Sequence, residues 1–293
     1  MASPSQWLAA SRPRTLPAAI APVVLGVFTV WRVESPPRWD RAGLALVVAL
    51  VLQIGVNFAN DYSDGVRGSD RDRHGPARLV GSGAASPGAV KGAAFAAFAV
   101  AAAAGAALTW LTGQWWLLAV GPAAIAAAWF YTGGKHPYGY LGLGEVGVFI
   151  FFGPVAVLGT AYTQHLTINW RAGLGSIGIG LIASAILMAN NLRDISSDKA
   201  AGKMTLAVKL GEDRARNLYA WEMWLAMAVG AACAIGRPRI LVVLLMAIPT
   251  ARLASAVTSR IKGDELVAIL TRTGQVELGY AILLGLATAD LLS

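Results

Sequence analysis

The stretch Asn190-Asn191-Leu192-Arg193-Asp194-Ile195-Ser196-Ser197-Asp198 directly follows an apolar run at about 173–191. A second stretch, Asn60-Asp61-Tyr62-Ser63-Asp64, stands in the same relation to the run at about 42–60. Carboxylates clustered at the end of a membrane helix are costly to desolvate and require a compensating partner. Two such clusters, at matching places in two halves of one chain, point to a single divalent-metal site that binds a polyanion.

Composition sets the surroundings of these clusters. The 293 residues are 56% hydrophobic and 14% charged, with a mean hydropathy of +0.57. Soluble domains carry about 25% charged residues, so this is an integral membrane protein. Nine apolar runs are long enough, or nearly so, to span a bilayer: about 16–31, 42–60, 92–112, 115–131, 144–163, 173–191, 218–235, 240–257 and 276–292. The last is opened by Glu277. Tryptophans such as Trp31, Trp39, Trp110, Trp115, Trp116, Trp170, Trp221 and Trp224 gather at the run ends, as interfacial belts do. Arg12 and Arg14 precede the first run, but Pro17, Pro22 and the lack of a small-residue cleavage site make it a retained span rather than a signal peptide.

A net charge of +8 raises the question of nucleic acid. Its distribution argues against that partner, because Lys and Arg fall between apolar spans and no basic stripe is interleaved with aromatics. With the N-terminus on the cytoplasmic side, eighteen of the 24 Lys and Arg face the cytoplasm and six (Arg32, Arg38, Arg41, Arg171, Arg237, Arg239) the other side. That is the positive-inside pattern, and it places both acidic clusters at the cytoplasmic face of the plasma membrane. The clusters follow spans two and six, each before a long polar loop. The expected fold is therefore an all-α membrane bundle of about nine helices around a central cavity, with a pseudo-repeat of four helices and one acidic patch on each side.

Asn190, Asp194 and Asp198 stand at i, i+4 and i+8, one face of a helix continuing from span six. Asn60 and Asp64 repeat the i, i+4 step, with Asp61 beside them and Asp70 and Asp72 further along. Two carboxylates and an amide so placed suit Mg2+, which prefers oxygen ligands and retains waters and substrate phosphates. Cations surround them: Arg67, Arg71, Arg73 and Arg78 in the first loop, Arg193, Lys199 and Lys203 in the second. Acid, amide and base beside an apolar cavity suit a diphosphate carried on an apolar tail. The third loop, Tyr131 to Tyr140, offers Lys135 to phosphate and its tyrosines to a carbocation or aromatic ring; a plain turn with interfacial aromatics fits it equally.

Other signals are structural. Gly173-Leu174-Gly175-Ser176-Ile177-Gly178 matches a dinucleotide fingerprint by letter, but it opens a membrane span with no strand before it and reads as helix packing. His74, His136 and His165 are too far apart for a zinc motif. Cys233, the single cysteine, reads as a small core residue. Glu145 is a membrane-edge acid, and Glu222 and Arg252 are candidates for a structural pair.

The residues together resemble the UbiA superfamily of intramembrane aromatic prenyltransferases, over nearly the whole chain (residues 1–293, one domain). The resemblance rests on Arg12-Pro13-Arg14-Thr15-Leu16-Pro17, on motif one at about 57–78 with Asn57 to Gly65, Gly68-Ser69-Asp70 and Gly75 to Arg78, on Tyr131 to Tyr140, and on motif two at about 190–205, extended by Lys203 to Val208. The Asn-Asp-Tyr-x-Asp-Gly and Gly-Ser-Asp variants favour its naphthoate branch. The superfamily commonly carries Asn-x-x-x-Asp-x-x-x-Asp in motif one. Here the third position is Gly68, so Asp70, Asp72 or Asp61 is expected to substitute.

The resemblance implies transfer of a polyprenyl group from polyprenyl diphosphate to 1,4-dihydroxy-2-naphthoate with loss of the carboxylate. It implies Mg2+ on Asp64, Asp194, Asp198 and Asp61 or Asp70. Asn60, Asn190, Arg67, Arg78, Tyr131, Lys135 and Lys203 are the expected substrate contacts, and Arg14 or a neighbouring base would hold the acceptor carboxylate. A 4-hydroxybenzoate or haem prenyltransferase would share the site; the haem branch tends to carry Arg where this chain has Gly65. A secondary transporter would explain the spans and the pseudo-repeat, but transport sites lie near mid-bilayer and these acids sit at a rim.

Overall fold

The computed structural model describes residues 2–32, 34–68 and 78–289. Long uninterrupted apolar runs must satisfy their backbone groups internally in lipid, and helix is the local structure that does so. Over its described residues, each of the nine runs is helical. In chain order the α-helices are α1 (Pro4–Ala10), α2 (Leu16–Thr29), α3 (Trp39–Arg67), α4 (Pro87–Thr112), α5 (Leu117–Phe130), α6 (Gly144–Ile150), α7 (Ala156–His165), α8 (Trp170–Arg193), α9 (Ile195–Ala200), α10 (Leu206–Leu210), α11 (Glu212–Ala232), α12 (Ala247–Thr258) and α13 (Asp264–Thr288). Five stretches are long and apolar enough to cross a membrane by length and composition: Trp39–Arg67, Pro87–Thr112, Gly144–His165, Trp170–Arg193 and Pro238–Thr258. No β-strand occurs among the described residues.

The expected boundaries shift in three places. Span five is one continuous helix in which α6 and α7 are joined by a π-helical turn at Phe151–Val155. Pro154 lies inside that turn and has no N–H to give the ladder, a cause of local unwinding. The eighth run begins as a 3-10 helix, Pro238–Met246, and becomes α12 only at Ala247, with Pro249 in the first turn, where its missing N–H is tolerated. The last helix starts twelve residues earlier than the apolar window, at Asp264 rather than 276. Its first turns carry the exposed charges Glu265 and Arg272, which mask them from a hydropathy reading.

Small residues bring the helices together. Cβ atoms at Gly153 and Gly180 would fall within 2.6 Å of Ser176 O and 2.8 Å of Phe149, so α8 meets the π-turned helix backbone to backbone. Gly178 and Gly230 make room for the ring of Tyr280, and Gly175 for Leu25. Two glycines of the fingerprint-like run, Gly175 and Gly178, therefore pack helices, whereas Gly173 faces open space; Cys233 is buried in the same core. Glu222 is also buried, whereas Arg252 is exposed, so the expected pair between them does not form. The exterior is apolar: Trp110 is 74% and Trp221 72% exposed, a surface suited to lipid rather than water.

At the end of the bundle opposite the acidic clusters, arginines close the helix C-termini. Arg32 donates to Trp31 O (2.7 Å) at the end of α2. Arg41 donates to Leu111 O (2.9 Å) at the end of α4 and to Thr163 O (2.9 Å) and Gln164 O (3.1 Å) at the end of α7. Arg171 reaches Cys233 O (3.0 Å) and Ile235 O (2.8 Å) after α11. Arg237 reaches Thr288 O (3.2 Å), and Arg239 reaches Ala287 O (3.1 Å) and Ala289 O (3.0 Å), at the end of α13. The last carbonyls of a helix have no partner within it, and a cation there also meets the negative end of the dipole. Removing Arg41 leaves two helix ends open at once. Arg41→Ala is expected to lower unfolding stability by about 2–3 kcal/mol, and Arg41→Lys to restore only part of it, because an ammonium lacks the planar fork. Denaturation in detergent micelles measures this; an unchanged midpoint in Arg41→Ala would refute the capping role.

Candidate active site

The acid end of the bundle encloses a cavity of about 500 Å³ between α2, α3, α4, α5, the α6–α7 helix and α8. It runs along α3 from Asn60 to Ala45, fifteen residues or about 22 Å of helix. Its walls are mainly apolar. Polar groups gather at its mouth, where Asn57, Asn60 and Asn190 meet Tyr131 and Tyr138. Arg12 is the one charged residue among the described residues of the lining.

Arg12 is positioned by local backbone. Its φ of 54° puts it in the left-handed region, rare for a residue with a side chain and a frequent mark of functional sites. The flanking residues are tied to α3: Asn57 Nδ2 donates to Ser11 O (2.9 Å) and Gln53 Nε2 to Thr15 Oγ1 (3.2 Å). Arg14, the residue expected to hold an acceptor carboxylate, instead lies exposed in the 3-10 turn Pro13–Thr15 and does not line the cavity. The left-handed residue reverses which of the two arginines turns inward.

Asp64 is the centre of the rim. Lys203 Nζ lies 2.8 Å from its Oδ1 and 3.9 Å from Asp198 Oδ1, and Arg78 Nη2 lies 3.3 Å from its Oδ2. The hydroxyl of Tyr140 donates to Asp64 as well, and Lys203 Nζ sits 4.9 Å over the Tyr140 ring. Sequence reasoning placed Tyr140 only among several loop tyrosines; the 3-10 turn Tyr138–Leu141 aims it at the acid. Met204 N donates to Tyr140 O (3.1 Å), which ties that turn to the extension of motif two. Burial pushes the Tyr138 phenol up to about 12, and burial with the nearby Asp64 carboxylate raises that of Tyr140. Tyr140 thus stays a neutral donor through the pH range in which a free phenol, at about 10, ionises.

In motif two the expected unbroken helix ends at Arg193, and Asp194 is the junction with α9 (φ −98°, ψ 7°). The four-residue register survives the break, since Asp194 N donates to Asn190 O (3.3 Å) and Asp198 N to Asp194 O (2.8 Å). Arg193 forks onto Asp194 with Nε at 2.7 Å and Nη2 at 2.6 Å, and the same Nη2 reaches Asn190 Oδ1 at 2.9 Å. In motif one Thr132 donates to Asn60 Oδ1 (2.7 Å).

Three expected residues stand elsewhere. Arg67 is spent on loop carbonyls, donating to Thr132 O and Gly134 O at 2.5 Å each, so it fastens the third loop instead of facing the cavity mouth. Lys135 is exposed on that loop. Asp61 turns both carboxylate oxygens to backbone amides, Oδ2 to Leu79 N (2.8 Å) and Oδ1 to Val80 N (3.0 Å). Asp70 and Asp72, with Arg71 and Arg73, lie outside the described residues.

Among the described residues no three carboxylate, histidine or cysteine groups lie close enough to hold a metal ion by themselves. The oxygens nevertheless fit a hard cation in one respect: the Lys203 ammonium already bridges Asp64 of the first motif and Asp198 of the second. One positive charge reaches both halves, and Mg2+ ordinarily completes its shell with waters and phosphate oxygens.

The family model for the UbiA prenyltransferase family matches residues 19–268, and the chain belongs to that family. It is 48% identical to the 1,4-dihydroxy-2-naphthoate octaprenyltransferase of Mycobacterium tuberculosis, covering 96% of each chain. It is 41% identical to the Escherichia coli protein of the same name, over 73% of this chain and 71% of that one. Its fold matches that of a UbiA homologue from Archaeoglobus fulgidus bound to GPP and Mg2+, with a TM-score of 0.71, 15% identity, and coverage of 95% and 99%.

Breaking a buried ion pair from one side leaves a charge stranded, at about 3–5 kcal/mol when no other partner remains. Arg78 still faces Asp64, so Lys203→Met is expected to cost less, about 2–3 kcal/mol. Asp64→Asn in the same background should recover part of the loss. A double-mutant cycle on thermal unfolding reads this, and additive losses would show that the two residues are not coupled.

Proposed function

We propose that this protein transfers a polyprenyl group from a polyprenyl diphosphate to 1,4-dihydroxy-2-naphthoate, with loss of the acceptor carboxylate as CO2, giving demethylmenaquinone in its diol form. The observation that carries the reading is the Lys203 bridge between Asp64 and Asp198 at the mouth of an apolar cavity. The mycobacterial and enterobacterial relatives, with their named activity, support the acceptor. The archaeal structure with GPP and Mg2+ supports a metal-diphosphate site in this fold.

Asp64, Asp194 and Asp198, with Asn60 and Asn190 and with Asp70 from the loop, are the proposed Mg2+ ligands. Bound Mg2+ would neutralise diphosphate charge and favour scission of the allylic C–O bond. Lys203 and Arg78 hold the remaining phosphate charge by charge-assisted hydrogen bonds. The tail lies along α3 in the apolar cavity, whose walls keep water from the allylic cation. Tyr131 and Tyr138, stacked edge-to-face at 5.5 Å, present aromatic faces to that positive charge. Arg12, the one charged residue among the described residues of the lining, takes the acceptor carboxylate and so orients the ring for attack. The whole chain 1–293 acts as one domain in the plasma membrane, its mouth to the cytoplasm, on the strength of the charge bias.

Purified protein given a prenyl diphosphate, dihydroxynaphthoate and Mg2+ should release pyrophosphate and form the prenylated diol; chelation of the metal should stop it. Prenylation of 4-hydroxybenzoate but not of the naphthoate would place the protein in another branch. Asp194→Ala and Asp198→Ala should each reduce turnover by about a thousandfold or more, a loss of roughly 4 kcal/mol, with the fold intact in detergent; near-normal turnover in either would sink the metal-site assignment. Asp70→Ala should weaken the Mg2+ dependence, and an unchanged dependence would remove Asp70 from the site. Arg12→Ala should raise KM for the naphthoate about tenfold or more, and leave KM for the prenyl diphosphate alone.

A further inference from the structure

Motif one contains two aspartates that the chain uses differently. Asp61 and Asp64 are three residues apart on α3, both buried (1% and 4% exposed). Asp64 faces cations. Asp61 has Arg12 near enough to act on it electrostatically, but its two oxygens face the consecutive amides of Leu79 and Val80, at 2.8 and 3.0 Å. We propose that Asp61 is a positioning residue: its carboxylate fastens the Leu79–Val80 turn to α3, and so sets the adjoining Arg78 against Asp64 instead of binding the metal. This rests on the diphosphate reading of the rim given above.

Three further observations bear on it. Leu79 is 2% exposed and packs into a cluster with Phe58, Val90 and Phe98, so the turn has an apolar anchor beside the polar one. Gly65, one helical turn beyond Asp61, is where Val80 lies on α3: a Cβ at Gly65 would come within 2.4 Å of Val80 Cγ1. The turn is closed on itself by Ser82 N to Arg78 O (3.0 Å) and Ala85 N to Leu79 O (3.0 Å). Arg78 is the first residue of this fastened segment, and its guanidinium is held 3.3 Å from Asp64 with both side chains under a tenth exposed. Each Asp61 oxygen is already held by one backbone amide, which fixes the carboxylate toward the turn and leaves it one remaining lone pair per oxygen. Gly65, read in the sequence as a branch signature, is on this account the space that the turn occupies.

The two residues can be tested separately because Gly65 has no ligand atoms. In full-length protein in detergent, Asp61→Asn should raise amide hydrogen exchange at Leu79 and Val80 by about tenfold or more (roughly 1.4 kcal/mol). It should raise KM for the prenyl diphosphate by a similar factor, and leave the half-saturating Mg2+ concentration within about twofold. Gly65→Ala should give the same pattern with smaller amplitude. Arg78→Ala should raise the same KM while the two amides stay protected, and Asp61→Asn added to it should raise KM no further. The proposal is overturned if Asp61→Asn keeps the amides protected and shifts half-saturating Mg2+ by about tenfold or more. It is also overturned if Gly65→Ala leaves the amides and KM unchanged, which decides the matter should Asp61→Asn fail to fold. Looser amides in Asp61→Asn, together with no prenyl transfer by the wild-type protein, would instead reject the proposed reaction and keep the clamp.

Discussion

The contact between the Lys203 ammonium and Asp64, 139 residues apart in sequence, is the constraint on which the acid end depends. A carboxylate at the buried end of a membrane helix cannot remain charged without a partner, and a buried pair holds only where its remaining valences are met. Satisfying Asp64 therefore draws in Lys203 from beyond α9, Arg78 from the turn before α4, and Tyr140 from the third loop. Each arrives with its own backbone anchor: Lys203 N on Asp198 O, Leu79 N on Asp61, Met204 N on Tyr140 O. Two motifs remote in the chain become one rim because neither can be buried alone.

That rim is close to charge balance by itself. Among the described residues, Asp61, Asp64, Asp194 and Asp198 bring four acids to it, and Arg12, Arg78, Arg193 and Lys203 four basic side chains. A diphosphate entering alone would upset the balance, and so would a divalent cation. The two entering together nearly preserve it. The proposed use of Mg2+ with a diphosphate thus has an electrostatic basis as well as a basis in ligand chemistry.

Much of the fold was legible because hydrophobic length is a local property. All nine runs appear as helices, and only α13 was badly bounded, since Glu265 and Arg272 sit on its exposed face. The ladder Asn190, Asp194, Asp198 was legible for the same reason, its spacing lying within one stretch of chain. What sequence could not give depended on distant backbone or a single torsion. The hydrogen bonds that Asp61 accepts from Leu79 and Val80 span eighteen residues or more, and no local pattern announces them. Arg12 and Arg14 are indistinguishable in a pattern, and a left-handed φ at Arg12 separates them. Arg67 reads as a phosphate cation, but the third loop offers it carbonyls first. The π turn at Pro154 and the choice of Tyr140 among its neighbours belong to the same class.

The charge asymmetry that oriented the chain also has a local cause. Six arginines lie between spans at the end away from the acids, and Arg32, Arg41, Arg171, Arg237 and Arg239 all donate to carbonyls at the ends of α2, α4, α7, α11 and α13. Arg38, the sixth, shares only a 3.9 Å contact with the exposed Asp40 through its side chain. A helix that finishes at that face leaves carbonyls unpaired at the edge of the apolar layer, where a guanidinium fork can meet two at once. The minority of cations is thus made up almost wholly of residues with a capping task, and no lysine is among them. At the acid end the capping need is smaller for helices that begin there, because the dipole's positive end suits phosphate and carboxylate. At that end the cations divide. Arg78, Arg193 and Lys203 meet the acids. Arg216 donates to Val257 O (2.6 Å) and Ile261 O (2.9 Å), at and beyond the end of α12, and Arg67 fastens the third loop, so the excess of charge counted along the sequence serves both tasks.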